Sequence, residues 1–316
     1  VWSLVIGQLA GTLTSTVLYW AISDWRLRLE FDVTIARQLL GYGVQLIFVG
    51  LFGTIHRNVD YLLVGRRMAS AQLGYYTLAY RLPELVILNM VTVLGQAIFP
   101  TYAKLQNDPS ALRAGFLTML RYVAIFTIPC GIGMFIVAPE FITVFYTDRW
   151  AAAIPVMQML ALYTAVLALS YNAGDIYKAT GRPGILNKIA VIKLAITIPV
   201  LWWAANHSIL HVAVGQLFTA TIISVLSLWL AGRILEVSLW SMFDAMRPAA
   251  ISALVMLAGT LLLRSQIDDL SPLLRLILMT VTGGGLYAAA LGLTAKDTLI
   301  QAVSIIKPAR RVTPAP

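Results

Sequence analysis

Apolar residues run through this chain in long, nearly unbroken stretches rather than in alternating patterns. Nine such stretches stand near 2–22, 38–58, 73–99, 115–138, 152–173, 185–205, 209–232, 248–264 and 274–294. About twenty apolar residues carry a helix across the hydrocarbon core of a bilayer. Continuous runs without period-two alternation favour helices over a β-barrel. The pattern predicts an all-α polytopic membrane protein of about nine transmembrane helices. The second and third runs look longer than one crossing. Gly41, Gly43, Gly50 and Gly53 in one, and Pro83 in the other, offer places to bend.

Those two runs are also interrupted by polar residues, His56-Arg57-Asn58-Val59-Asp60 in the first and Arg81-Leu82-Pro83-Glu84 in the second. Charges inside a span are costly, face a protein interior or a watery cavity, and mark routes for polar cargo. Bent, polar-interrupted helices are a feature of transporter binding sites. Arg57 and Asp60 lie three positions apart, as do Arg81 and Glu84, so each cation can pair with its own carboxylate on one helical face. Two readings stand open. In one the pairs are structural and make the charges tolerable. In the other Arg57, with Asn58 beside it, and Arg81 face a cavity and draw an anionic cargo, the planar guanidinium giving two hydrogen bonds to phosphate. Asp60 and Glu84 are alternatively carriers of coupling protons or sodium ions. His56, one turn from Asp60, either shares a proton with it or is a packing residue. Arg121 and Lys193 have stems long enough to snorkel to headgroups; facing inward, they would extend a positive lining toward the cytoplasmic entry.

Composition narrows the class. The chain is 59% hydrophobic and 12% charged, about half the charged share of soluble domains. The net charge of +9 is scattered through short loops, which excludes a nucleic-acid footprint and fits the positive-inside rule. One set of loops takes 14 of the 23 Lys and Arg residues and the other set five, which places the 23–37 linker and the C-terminal tail in the cytoplasm. Cys130 is the single cysteine, so no internal disulfide is possible, and it reads as a small buried hydrophobe. His207 and His211 have no carboxylate cluster nearby, so no metal site is expected. Gly283-Gly284-Gly285 lacks the Lys-Ser/Thr of a phosphate loop and reads as a helix-packing element, so neither ATP nor another cofactor is implied. Tyr75, Tyr76, Tyr80, Tyr146 and Trp150 read as an interfacial aromatic belt, with sugar stacking as the sharper alternative. Arg66 and Arg67 are expected near outer headgroups.

Residues 58–81 read Asn-Val-Asp-Tyr-Leu-Leu-Val-Gly-Arg-Arg-Met-Ala-Ser-Ala-Gln-Leu-Gly-Tyr-Tyr-Thr-Leu-Ala-Tyr-Arg. This resembles the N-x-D-x-x-L-x-G … L-G-x-Y-x-x-A-x-R signature of the bacterial polysaccharide exporters, which include the Wzx-type O-antigen flippases of the multidrug/oligosaccharidyl-lipid/polysaccharide superfamily. Ile98-Phe99-Pro100-Thr101-Tyr102-Ala103 resembles the family's F-P-x-x-A at a helix end. Ala138-Pro139-Glu140-Phe141 with Trp150 is similar to its outside loop, and Ala179-Thr180-Gly181-Arg182-Pro183 to its cytoplasmic A-x-G-R-P turn. The resemblance covers residues 1–235.

On the family's two-lobe template, 1–22 resembles the last helix of a truncated first lobe, 23–37 a cytoplasmic linker and 38–235 the second six-helix lobe. Residues 236–294 supply two additional helices and 295–316 a basic cytoplasmic tail, and the chain is expected to begin inside a larger protein. The resemblance implies a flippase of the bacterial inner membrane. It would move an undecaprenyl-diphosphate-linked oligosaccharide by alternating access, powered by H+, Na+ or cargo flux, alongside membrane lipids and other glycan-assembly proteins. The rivals are a multidrug/cation antiporter, a peptidoglycan-precursor flippase and, from another class, a membrane enzyme of glycan assembly. No outer loop is long enough for the catalytic domain such an enzyme usually brings.

Overall fold

A computed structural model describes residues 2–23, 32–33, 40, 53–55, 57–182 and 184–295. The chain divides into two compact units, Val1–Leu51 and Phe52–Pro316. The described part of the first is essentially α1 (Trp2–Ile22), 21 residues without a charge. At 1.5 Å per residue it is about 30 Å long, one bilayer crossing. The hydroxyls of Thr12, Thr14, Ser15 and Thr16 donate to carbonyls four residues back, at 2.8–2.9 Å. This return bond satisfies a hydroxyl within its own helix.

The second unit holds α2 (57–67), α3 (Ser70–Pro83), a π-helical turn at Glu84–Leu88, α4 (Asn89–Leu105) and α5 (Pro109–Tyr146). A 3₁₀ segment at Asp148–Ala153 leads to α6 (Ile154–Leu169) and α7 (Tyr171–Ala179). Then follow α8 (Gly184–Ala204), α9 (Ile209–Leu235), α10 (Leu239–Arg264) and α11 (Pro272–Thr294). There is no strand among the described residues, where eight helical segments are long and apolar enough to cross a membrane. The protein is an all-α polytopic membrane protein.

Several boundaries differ from those read in the sequence. Most of the 38–58 stretch lies outside the described residues, but helix continues past it to residue 67. The 73–99 run is a helical segment from Ser70 to Leu105. Pro83 has no amide hydrogen to give its fourth predecessor, and the π-helical turn that starts at Glu84 accommodates the mismatch. Ala138-Pro139-Glu140-Phe141, expected in an outside loop, is helical within α5. Glu140 is tolerated there because Arg264 of α10 reaches it at 3.1 Å. The 152–173 run continues to Ala179 but breaks at Ser170.

Helix α5 is the hub: α6, α10 and α11 pack on it, α6 also carries α3 and α9, α8 lies on α9, and α4 on α7. Membrane helices associate through close packing of small residues and hydrogen bonds, since lipid removes the hydrophobic drive. Gly131 shows the closeness of the α5–α6 crossing. A Cβ there would sit 2.6 Å from Ala165 Cβ and 3.1 Å from the Ala161 carbonyl. Gly283 brings α11 against Thr260 of α10 in the same way, at 3.1 Å.

Four apolar clusters stand among the described residues, two of them large. One contains Tyr76, Ile142, Met157, Leu160 and Leu201, the other Phe116, Leu120, Ile176, Tyr177 and Met242. The turn after α7 needs its glycine. Gly181 adopts φ +70°, Arg182 N–H donates to Tyr177 O at 2.8 Å and Gly181 N–H to Lys178 O at 3.1 Å. That is the Schellman termination, in which a residue without Cβ costs least.

Candidate functional site

Helices α2 and α3 form a hairpin turning at Met68 and Ala69, where Met68 N–H bonds Val64 O and Gln72 N–H bonds Ala69 O, each at 2.9 Å. Arg57 is eleven residues before Met68 and Arg81 eleven after Ser70. Each therefore lies about 16 Å from the turn, half the thickness of a hydrocarbon core of about 30 Å. The Tyr61 and Tyr80 rings are 6.2 Å apart and hold the two arms in register. Arg57 is one turn beyond Tyr61 and Glu84 one turn beyond Tyr80, so both interruptions reach one depth.

The charges do not pair as their spacing suggested. Neither Arg57 nor Arg81 forms an ion pair among the described residues. Asp60 is buried, with 4% exposure. Its carboxylate accepts from the Tyr76 hydroxyl at 2.8 Å, Gln216 Nε2 at 3.0 Å and the Tyr61 amide at 2.9 Å. A helix places i and i+3 on neighbouring lines, and here one line faces the bundle and the other faces out. Arg57 is accordingly exposed, as are Arg81 and Asn58, whose amide donates to Thr54 O at 2.8 Å. Glu84 is half-buried. His56 lies outside the described residues.

The sequence reading missed this arrangement. Gln216 is 156 positions from Asp60, so no local pattern announces it. Tyr76 carried a signal that was misread: its ring is fully buried beside Asp60 rather than in an interfacial belt. Tyr61 stands edge-on to it at 5.6 Å, and Tyr163 of α6 lies 6.0 Å from Tyr80.

The outward side of α2–α4 mixes polar residues with exposed Leu62, Leu85, Met90 and Val93. Thr54, Arg57, Asn58, Thr77, Arg81, Asn89 and Thr92 are all exposed. Thr77 and Arg81 are four residues apart on α3 and so share a face. Thr77 and Thr92 return their hydroxyls to Leu73 O and Leu88 O at 2.8 Å, so the exposed groups that hydrocarbon solvates worst are the guanidiniums of Arg57 and Arg81. Arg121 and Lys193 are separate from this face. Arg121 is half-buried on α5, twelve residues in from Pro109, and Lys193 is half-buried on α8, whose packing partners are α9 and α7.

A second polar group surrounds the helix break at Ser170. Lys178 Nζ donates to Asp175 Oδ1 at 3.1 Å, and Asp175 is 5% exposed. Ser170 and Ser224 share a hydrogen bond at 2.9 Å, and the Tyr177 hydroxyl donates to Ser227 O at 2.5 Å. Asp175, Lys178, Ser170 and Ser227 line a cavity of about 290 Å³. Asn172-x-x-Asp175-x-x-Lys178 was visible in the sequence as polar residues at three-residue steps inside an apolar run. A second cavity of about 290 Å³, between α5, α10 and α11, is apolar and lined by Cys130, Met134, Met256 and Tyr287.

Residues 1–155 match the family model described as polysaccharide biosynthesis protein. The teichuronic acid biosynthesis protein TuaB of Bacillus subtilis is 26% identical over 265 residues, covering 79% of this chain and 52% of the relative. The lipopolysaccharide biosynthesis protein WzxC of Escherichia coli is 25% identical over 199 residues, covering 62% of this chain and 40% of the relative. The chain is thus similar to polysaccharide biosynthesis proteins, and it spans about half the length of these curated relatives. Its fold is that of the lipid II flippase MurJ in an inward closed conformation, with a TM-score of 0.73 at 16% identity over 91% of this chain and 61% of that one.

Proposed function

We propose that this chain is the part of a polysaccharide exporter that lines the translocation path with its α2–α4 face. The cargo is a polyprenyl-diphosphate-linked oligosaccharide crossing the bacterial inner membrane by alternating access. The observation that carries the reading is two exposed arginines that form no ion pair among the described residues, each about 16 Å along its helix from the α2–α3 turn. A diphosphate supplies what they lack, since each guanidinium can give paired, charge-assisted hydrogen bonds to phosphate oxygens. Asn58, Thr77 and Asn89 offer neutral contacts to sugar hydroxyls along the same face, while the polyprenyl tail stays in lipid. The names of the curated relatives, which concern teichuronic acid and lipopolysaccharide biosynthesis, agree with a glycan cargo.

Asp60 is the candidate coupling group. It is buried and held by neutral donors on α3 and α9. Gain or loss of a proton, or capture of Na+, changes the bonds that join α2 to two other helices. The loop-charge asymmetry puts the C-terminal tail in the cytoplasm. Arg121 and Lys193 are secondary candidates for cargo contact.

The test is complementation of a strain lacking its own exporter by the full-length gene carrying Arg57→Ala, Arg81→Ala or both. Surface glycan and accumulated lipid-linked precursor are measured at matched protein levels. The expected result is loss of surface glycan with precursor trapped inside. Wild-type export by the double variant would remove both arginines from the path and this reading with them. Asp60→Asn should leave cargo binding intact and remove the dependence of transport on the ion gradient; unchanged ion dependence assigns coupling elsewhere.

A further inference from the structure

At the end of the lobe where α2 turns into α3 and α8 into α9, a cationic and aromatic cluster stands apart from the proposed cargo face. Arg67 Nη1 donates to Asn206 Oδ1 at 2.6 Å, and its guanidinium lies over the Trp202 ring at 5.1 Å. The side chain is thus anchored toward the α8–α9 turn and away from α3. Arg66 is its exposed neighbour. The His207 ring lies tilted 4.4 Å from that of Trp203 and 5.3 Å from that of His211, and both histidines are exposed. No carboxylate forms an ion pair with Arg66 or Arg67 among the described residues. The cluster therefore offers positive charge and no internal anion.

What lies beneath the cluster identifies the occupant. Trp202 and Trp203 are 51% and 56% exposed, as tryptophans at a membrane–water interface are. Below them the outward side of α9 presents Val214, Phe218, Ile222 and Val225, all exposed. These recur at steps of three and four and form one apolar track. From Val214 to Val225 the track runs about 16 Å, close to the depth of one leaflet's hydrocarbon, half of about 30 Å. A phosphate-binding head above an apolar track one leaflet deep has the dimensions of a phospholipid.

We propose that the α2–α3 and α8–α9 turns form a binding site for an anionic phospholipid. Arg66 and Arg67 take its phosphate and Val214, Phe218, Ile222 and Val225 its acyl chain. The site does not depend on the cargo reading, because Arg67 is held on Asn206 and Trp202 at the α8–α9 turn, about 15 Å along α2 from Arg57.

The purified full chain in nanodiscs of mixed phosphatidylglycerol and phosphatidylcholine tests it, with the lipids that survive stepwise delipidation quantified by mass spectrometry. Wild type should retain phosphatidylglycerol selectively, and R66Q/R67Q should lose about tenfold of that selectivity. Phe218→Ser should lower retention of both lipids. Arg233→Gln serves as a control, since Arg233 lies over Trp229 at 4.8 Å at the far end of α9, and it should leave retention at this site unchanged. Unchanged thermal unfolding of R66Q/R67Q shows that the fold is intact. Equal phosphatidylglycerol retention by wild type and R66Q/R67Q overturns the proposal. So does displacement of the lipid by inorganic phosphate or by a soluble acidic oligosaccharide at low concentration, which would make the cluster a free-phosphate or glycan site.

Discussion

The α2–α4 face and the α10–α11 hairpin are both exposed and both belong to helices long and apolar enough to span a bilayer, yet only the first sets arginines and amides among its exposed apolar residues. The first presents Thr54, Arg57, Asn58, Thr77, Arg81, Asn89 and Thr92. The second presents Ile251, Leu254, Val255, Leu261, Leu262, Leu273, Ile277 and Val281. Exposure alone therefore does not separate lipid-facing from lumen-facing surface. Residue type does, because hydrocarbon cannot satisfy an amide or a guanidinium. Burial also divides the charges. Asp60, Glu140 and Asp175 face inward, each with its own hydrogen-bond donor, while Arg57 and Arg81 face outward and form no ion pair among the described residues.

The sharpest way to break the comparison is to exchange the chemistry of the two faces. Val281→Arg, at 68% exposure in the middle of α11, should cost about 2.5–3.5 kcal/mol of insertion free energy. A glycosylation-based insertion assay on the α10–α11 hairpin reads this, and full insertion of the variant would mean that this face is not against lipid.

Next comes the internal charge pair that docks the hairpin. Glu140→Ala removes the acceptor of Arg264, which retains about a third of its exposure. After discounting for solvent screening, the loss should be about 1–3 kcal/mol. Thermal unfolding in detergent should show a lower midpoint, with Glu140→Gln intermediate. An unchanged midpoint for the alanine variant would remove this bond from the forces that attach α10 to α5.

The complementary exchange is Arg81→Leu. It should leave insertion and folding unharmed while export in the complementation assay falls about tenfold, the equivalent of roughly 1.4 kcal/mol lost from cargo binding. A folding defect without a specific export defect would give Arg81 a structural role and dissolve the contrast between the faces.

The smallest effect lies outside the bilayer. Asp108 caps α5 by accepting from Ser110 N–H and Ala111 N–H at 3.0 Å, and the Ala111 amide bond, first among several, holds its carboxyl below the usual value of 3.8. A depressed folded-state value means that the cap contributes above the unfolded value and is lost as pH falls through the folded one. Hydrogen exchange at Ser110 and Ala111 should therefore quicken at pH below 3.8 and be insensitive to pH in Asp108→Asn after correction for intrinsic rates.

Much of the architecture was legible because it follows from local composition. Long apolar runs have one satisfied conformation in lipid, and the Ala179-Thr180-Gly181-Arg182 turn announces its left-handed glycine. Glu140 resisted this reading because its partner, Arg264, is more than a hundred residues away and a lone carboxylate beside Pro139 resembles a loop. Tyr76 resisted it because a tyrosine among apolar residues suits an interface and a buried hydrogen bond equally well.

The sequence by itself determined that this is an all-α membrane protein with cations inside or at the edges of its apolar runs. Only the tertiary structure decided which way those charges point. Three residues along a helix is a rotation of about 300°, or 60° short of a full turn. Arg57 and Asp60 could therefore meet on one face or part across the boundary between bundle and surface. Tyr76 on α3 and Gln216 on α9 resolve it by drawing Asp60 into the bundle. Arg57 remains on the exposed face outside.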